Sequence, residues 1–269
     1  MEGSATNWNS MAIAFALALV RIGSMLALAP FFNSQSIARQ TKAVFAIAIC
    51  VLLVPTVAVA ATHSPQSSLL QISFTGLVGE VAVGVLYGLT LSLLNEMLLL
   101  AGQIVGLQFS FSLVNLLDPA SEIQTPLMGD LFQLLGSLVL ITAGLDRVLL
   151  ASMIRSLQVV PLGSFPLANI ASSAKVLVPL LSGSFFAALE LAAPVLAATV
   201  LVEISVALLG KLSPQLPVIS LTVPLKTLTG FVLLIGSLAL WPHFIEDRFS
   251  GLLDVAERLV AQKVSGGRS

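Results

Sequence analysis

Apolar residues fill most of this chain in long stretches, and short polar breaks divide them into six runs. The runs cover residues 11–32, 43–61, 69–117, 127–145, 176–212 and 218–240. A helix of about 20 apolar residues spans the hydrocarbon core of a bilayer. The pattern therefore predicts an all-α protein of the integral membrane type.

Two of the runs are too long for a single span. Residues 69–117 and 176–212 exceed the length that one bilayer-crossing helix needs. We expect the first to form a hairpin or two helices end to end. We expect the second to form a kink or a helical hairpin at Pro179 and Pro194, since proline removes a helix hydrogen bond. Residues 155–175 contain two prolines and a glycine and are predicted to form a loop.

Glycines in the third run recur at a spacing that places them on one helix face. Gly84 and Gly88 are four residues apart, and so are Gly102 and Gly106. Small residues at this spacing let a second helix backbone come close. We expect close helix packing at both pairs, although the sequence does not name the neighbours.

The tail differs in kind from the runs before it. Apolar residues recur at helical spacing over residues 243–264, and charged residues fill the opposite face. This pattern predicts an amphipathic helix that lies on a membrane surface or docks on a partner, and its balanced charges favour docking. We expect one domain over residues 1–269, with a hydrophobic core to residue 242 and a flexible tail at 265–269.

Composition supports the membrane assignment and excludes several other classes. The chain is 57% hydrophobic and 9% charged, and its net charge of −1 offers no basic surface for nucleic acid. Its one cysteine, Cys50, cannot form an internal disulfide. The two histidines form no zinc-protease motif, and no nucleophile–histidine pair is evident. We expect no catalytic, metal or cofactor site.

Ionisable residues nevertheless occur inside nearly every apolar run. They are Arg21, Glu80, Glu96, Asp130, Glu190, Glu203 and Lys226. A charge at the centre of a lipid-facing helix costs roughly 2.5–3.5 kcal/mol, so these side chains need partners, water or a protein interior. From the residues alone, a small secondary transporter or ion channel using buried carboxylates is as plausible as a helical assembly.

Two stretches resemble a known family. One reads A-G-Q-I-V-G-L-Q at 101–108 followed by D-P-A-S at 118–121, and the other reads S-P-Q-L-P at 213–217 followed by P-L-K at 224–226. Together they resemble the FliR family, a flagellar export-apparatus subunit whose injectisome counterpart is SctT. The motif positions are Gly102, Gln108, Pro214, Gln215 and Pro224. Departures occur at 143–146, where the family often has a Gly-His pair, and at 36–39, which lacks the usual proline.

The resemblance implies structure and gating rather than catalysis. FliR-like proteins join FliP- and FliQ-like subunits in a helical export gate of bent helical hairpins around an axial channel, partly out of lipid. The resemblance further implies FlhA-like and FlhB-like export components and translocating flagellar proteins as partners. It places the chain in the bacterial inner membrane at the flagellar basal body.

The resemblance also assigns candidate site residues. A loop that plugs the closed channel maps to residues 106–122, and its key positions are Gly106, Phe109, Phe111, Leu113, Asp118 and Pro119. Bulky apolar side chains can close a pore by excluding water. A second set consists of charges expected to be buried and paired within or between subunits: Arg21, Glu80, Glu190, Glu203 and Lys226.

Overall fold

All regular structure in the described part of the chain is helical, as predicted. The computed structural model describes residues 2–28, 38–62, 73–109, 127–165, 170–213 and 218–261. Its α-helices are α1 (Glu2–Leu28), α2 (Arg39–Thr62), α3 (Phe74–Gln108), α4 (Leu127–Thr142), α5 (Leu145–Val159), α6 (Ile170–Leu212), α7 (Val218–Ser237) and α8 (Trp241–Ala261). A 3-10 turn, Leu238–Leu240, connects α7 to α8.

The two longest helices contradict the predicted hairpins. Helix α3 is continuous over 35 residues and α6 over 43, which correspond to about 52 and 64 Å of helix at 1.5 Å per residue. The 20-residue limit applies only to the part of a helix covered by lipid. Helix α6 continues through Pro179 and Pro194, because a helix packed among others can tolerate a missing hydrogen bond.

The predicted loop at 155–175 is shorter than expected. Helix α5 continues to Val159 and α6 begins at Ile170, so both ends of the predicted loop are helical. Between them, Gly163 adopts a φ of 76°, and Gly144 adopts a φ of 71° where α4 gives way to α5. A positive φ is readily available to glycine and costly for other residues.

Within the described residues, four helical segments are long and apolar enough to cross a membrane. They are Met11–Leu28, Phe74–Gln108, Lys175–Leu212 and Ser220–Val260. The bent pair formed by α4 and α5 makes a fifth candidate. These lengths and compositions are those of an integral membrane protein.

The chain divides into two compact units. Unit 1 contains residues 1–94, 144–180 and 249–269, and unit 2 contains residues 95–143 and 181–248. In unit 1, α1 packs against α2, and the buried side chains include Leu17, Ile22 and Leu91. In unit 2, the ring of Phe132 on α4 packs against Trp241 with centroids 4.8 Å apart.

The amphipathic tail predicted over 243–264 is helical and corresponds to α8. Its apolar positions within unit 1, including Phe249, Leu253, Ala256 and Val260, are buried in the chain itself. This helix therefore docks on its own protein, which corrects the expectation of a membrane surface or a separate partner for that face.

Candidate functional site

A buried ion pair joins α1 to α3 in unit 1. Arg21 donates from Nε to Glu80 Oε2 at 2.5 Å and from an Nη atom to Oε1 at 2.9 Å. The side chains are 1% and 0% exposed. Such bidentate geometry is the strongest form of a charged hydrogen bond between side chains.

The same arginine caps the end of α5. Its other Nη atom donates to the backbone carbonyls of Ser156 at 3.0 Å and Val160 at 2.8 Å. The last carbonyls of a helix lack intrahelical partners and carry the negative end of the helix dipole. Arg21 therefore compensates two negative groups at once, the Glu80 carboxylate and the α5 terminus.

A tight turn after α5 completes this arrangement, which we call the Arg21 cluster: Arg21, Glu80, and the backbone of Ser156, Val160 and Gly163. The Gly163 amide donates to Glu80 Oε1 at 2.7 Å. On α3, Gly79 lets the turn approach, because a Cβ there would lie 2.8 Å from the carbonyl oxygen of Phe165. Each guanidinium nitrogen of Arg21 and each carboxylate oxygen of Glu80 thus has a hydrogen-bond partner within the protein.

Close packing of α1 on α3 holds the pair in place. A Cβ at Gly84 would collide with the Arg21 carbonyl oxygen and the Ser24 hydroxyl, and one at Gly88 would lie 2.9 Å from the Met25 carbonyl. The predicted close approach at Gly84 and Gly88 is confirmed, and the neighbour is α1.

The second glycine pair has its neighbour in unit 2. A Cβ at Gly102 would lie 2.7 Å from the Cα of Gly129 on α4, and one at Gly106 would lie 3.2 Å from the Cβ of Met128. The close approach predicted here is also confirmed. It is a backbone contact at Gly102 and a contact with a flexible side chain at Gly106.

Unit 2 contains a second polar cluster, at the end of α3. Lys226 of α7 pairs with Glu203 of α6, and its Nζ also donates to Gln108 Oε1 at 3.2 Å. We call these three residues the Lys226 cluster. The lysine side chain is 7% exposed, whereas that of Glu203 is 48% exposed. The cluster thus has a buried cation and a carboxylate that reaches the surface.

Phe109 directly follows Gln108, the last residue of α3, and its side chain packs against α7. Its ring lies against Gly230, where an added Cβ would collide with it, and 4.8 Å from the Phe231 ring between centroids. Phe109 is only 2% exposed. The resemblance assigned it to a channel plug, but in this structure its side chain anchors the end of α3 to α7.

The structure describes only part of the predicted site. Phe111, Leu113, Asp118 and Pro119 of the predicted plug, and Pro214 and Gln215 of the motif, lie outside the described residues. Pro224 is exposed within α7, and Gly106 is partly buried. Gln108 and Lys226, from motif stretches far apart in sequence, are in contact.

Of the five charges predicted to be buried, three are buried within this chain and two are exposed. Arg21, Glu80 and Lys226 are buried. Glu190 is 61% exposed and pairs with Arg248 at 2.6 Å, and Glu203 is half-exposed. These two are exposed in the single chain, since an apolar run does not reveal which helix face packs inward, and their burial between subunits stays a prediction. All five charges nevertheless have an opposite charge within this chain.

Sequence reasoning missed the backbone partners of Arg21. The carbonyls of Ser156 and Val160 and the amide of Gly163 carry no side-chain signature. A Pro-Leu-Gly turn at 161–163 was the available hint. Among the described residues, no group of three or more His, Cys, Asp or Glu side chains could hold a metal ion.

Comparison with known proteins gives consistent matches. The model of the family "Bacterial export proteins, family 1" matches residues 12–252. The flagellar biosynthetic protein FliR of Escherichia coli K12 is 23% identical over 267 residues, covering 97% of this chain and 98% of the relative. The protein of the same name from Caulobacter vibrioides is 27% identical over 252 residues, with 92% and 99% covered. That from Bacillus subtilis is 24% identical over 249 residues, with 92% and 95% covered.

Proposed function

This chain belongs to the bacterial export proteins, family 1, and on that premise we propose that it is a core subunit of the type III protein export gate. It assembles with FliP- and FliQ-like subunits into the channel for unfolded flagellar proteins. FlhA-like and FlhB-like components work beside it, and residues 106–122 form a plug that closes the channel. The role is structural and gating, without catalysis or a cofactor.

The resemblance to the FliR family inferred from the motifs is confirmed by the family match and by relatives named FliR. With the four apolar helices, it indicates an inner-membrane component of the flagellar export apparatus at the basal body. Helices α3 and α6 are longer than the roughly 30 Å hydrocarbon core, which supports an assembly that stands partly out of lipid.

The observation that carries the gating role is the anchoring of the first residues of the proposed plug, where α3 ends. Gln108 is held by Lys226, and Phe109 is seated on Gly230 and Phe231. A loop that blocks a channel needs a fixed base, because a mobile base would leave the constriction undefined. The two motif stretches meet at this base.

The contacts of the buried charges favour this role over the alternative, a small secondary transporter or ion channel. An ion-binding carboxylate needs free oxygen lone pairs facing water or the ion. Both oxygens of Glu80 accept hydrogen bonds from Arg21, and one also accepts from Gly163. The pair therefore supports helix packing better than ion transport.

Affinity purification tests the assembly directly. With a tag on this chain, FliP- and FliQ-like proteins from the same bacterium should co-purify as one stable complex. Recovery of the tagged chain alone from membranes, together with ion-coupled uptake by the purified chain in vesicles, would reverse the assignment in favour of a transporter.

The plug assignment has its own test. Residues 110–113 are replaced by an equal length of Gly and Ser, which removes Phe111 and Leu113 but spares the buried Phe109. We expect the inner membrane to become permeable to ions and small dyes when the complex is assembled. Unchanged permeability at wild-type complex yield would contradict the plug.

A further inference from the structure

Lys226 has two acceptors that belong to different helices and differ in charge. Glu203 on α6 supplies a carboxylate, and Gln108 at the end of α3 supplies a neutral amide oxygen. The lysine side chain is almost fully buried. A buried ammonium needs an opposite charge far more than it needs a second neutral acceptor.

The two contacts should therefore differ in how readily they break. Separating Lys226 from Glu203 would leave a buried cation without its counter-charge. Separating Lys226 from Gln108 leaves the ion pair intact, and the freed amide can bond to water as α3 moves away. The neutral contact is the easier one to release.

Phe109 adds a second releasable contact beside the first. Its ring fits against α7 only because position 230 is glycine. Gly230 lies one helical turn beyond Lys226. The Gln108 amide and the Phe109 ring thus contact one face of α7 at neighbouring turns. The Lys226–Glu203 pair connects α7 to α6 independently of these contacts.

We propose that Gln108 and Phe109 form a releasable latch that positions the end of α3 on α7, and that this latch opens during export while the Lys226–Glu203 pair stays closed. The inference deepens the proposed gating function and rests on it. Gln108 is a positioning residue: it contacts no exported protein but sets how strongly the closed conformation is held.

Two variants move the latch in opposite directions. Gln108→Ala removes the acceptor and leaves the ion pair untouched. The double variant Gln108→Glu/Glu203→Gln moves the carboxylate from α6 to the end of α3 with nearly unchanged size and the same total charge. Gln108→Ala should weaken the contact between Lys226 and the end of α3, and the double variant should strengthen it. Gln103→Ala, at an exposed position of the same helix, is the control.

The measurements are dye permeability of the inner membrane, secretion of flagellar proteins, and yield of the affinity-purified complex from cells that express each full-length variant. For Gln108→Ala we expect leakage on the order of tenfold above wild type, the effect of losing a hydrogen bond to a charged group. The double variant should not leak and should secrete several-fold less. Gln103→Ala should match wild type in all three.

Several outcomes would overturn the latch. The latch is wrong if Gln108→Ala assembles normally and leaves the membrane as impermeable as in the wild type. It is also wrong if Gln108→Ala and the double variant change permeability and secretion in the same direction. Loss of assembly in Gln108→Ala would assign the residue a purely structural role. If Gln108→Ala does not leak while replacement of 110–113 does, the latch is wrong and the plug stands. If the wild-type chain forms no complex, the proposed function itself fails.

Discussion

The Arg21 and Lys226 clusters solve the same physical problem in different ways. Each places a cation inside an apolar unit and gives it a glutamate from another helix. In the Arg21 cluster both partners are buried, and the backbone supplies the remaining bonds. In the Lys226 cluster the carboxylate reaches the surface, and the additional acceptor is a neutral side chain.

The difference separates a permanent joint from an adjustable one. Breaking the Arg21 cluster strands two buried charges and two helix-terminal carbonyls, so it can open only at great cost. In the Lys226 cluster one contact can be lost without separating the charges. We therefore assign stability of the fold to the first cluster and movement to the second.

The largest expected effect comes from Glu80→Ala. It leaves the Arg21 guanidinium buried without its carboxylate, and we expect the free energy of unfolding to fall by about 3–5 kcal/mol. Thermal unfolding of the detergent-purified chain measures it. The matched control is Glu96→Ala, an exposed glutamate on the same helix, which should change little. If Glu80→Ala and Glu96→Ala unfold at the same temperature, the Arg21 cluster is not a permanent joint.

An intermediate effect is expected from Gly84→Ala. Its methyl group would collide with the Arg21 backbone and force α1 away from α3, and overpacking of this kind costs about 1–3 kcal/mol. Gly23→Ala on α1 is the control, because an added Cβ there meets nothing within 4 Å. It should leave the unfolding temperature unchanged or raise it. A Gly84→Ala variant as stable as Gly23→Ala would show that α1 and α3 adjust freely.

The smallest stability effect is expected from Glu203→Ala. Lys226 keeps its bond to Gln108, and the Glu203 carboxylate that it loses is half-exposed, so we expect a loss of about 1–2 kcal/mol, between exposed and buried pairs. Co-purification with FliP- and FliQ-like proteins should weaken as well. Glu190→Ala removes an exposed pair from the same helix and should have less effect on stability. A loss as large as that of Glu80→Ala would erase the distinction between the two clusters.

The sequence was sufficient for those features that depend on composition or regular spacing. Long apolar runs predicted the helices, and the four-residue spacing of Gly84 and Gly88 predicted a close helix contact. Charges within apolar runs predicted a need for partners, because an isolated charge is unstable there. The amphipathic spacing of the tail predicted α8.

Features that depend on distant contacts could not be predicted in the same way. Arg21 and Glu80 are 59 residues apart, and Arg21 and Val160 are 139 apart. No periodicity links such positions. The exposure of Glu190 and the continuity of α3 also depend on which surfaces other helices cover. The resemblance assigned Phe109 to a loop, whereas packing against Gly230 decides its position.

The order of bonds in the Arg21 cluster has a consequence for how the protein is made. Translation proceeds from the N-terminus, so Arg21 emerges 59 residues before Glu80, an interval of roughly 3–12 s at about 5–20 residues per second. During that time α1 carries an arginine without its carboxylate, at a cost of roughly 2.5–3.5 kcal/mol if it is already in lipid. The α5 carbonyls arrive later still. Placement of the first helix in the membrane therefore becomes more favourable by about that amount once α3 supplies Glu80, which couples the two helices energetically.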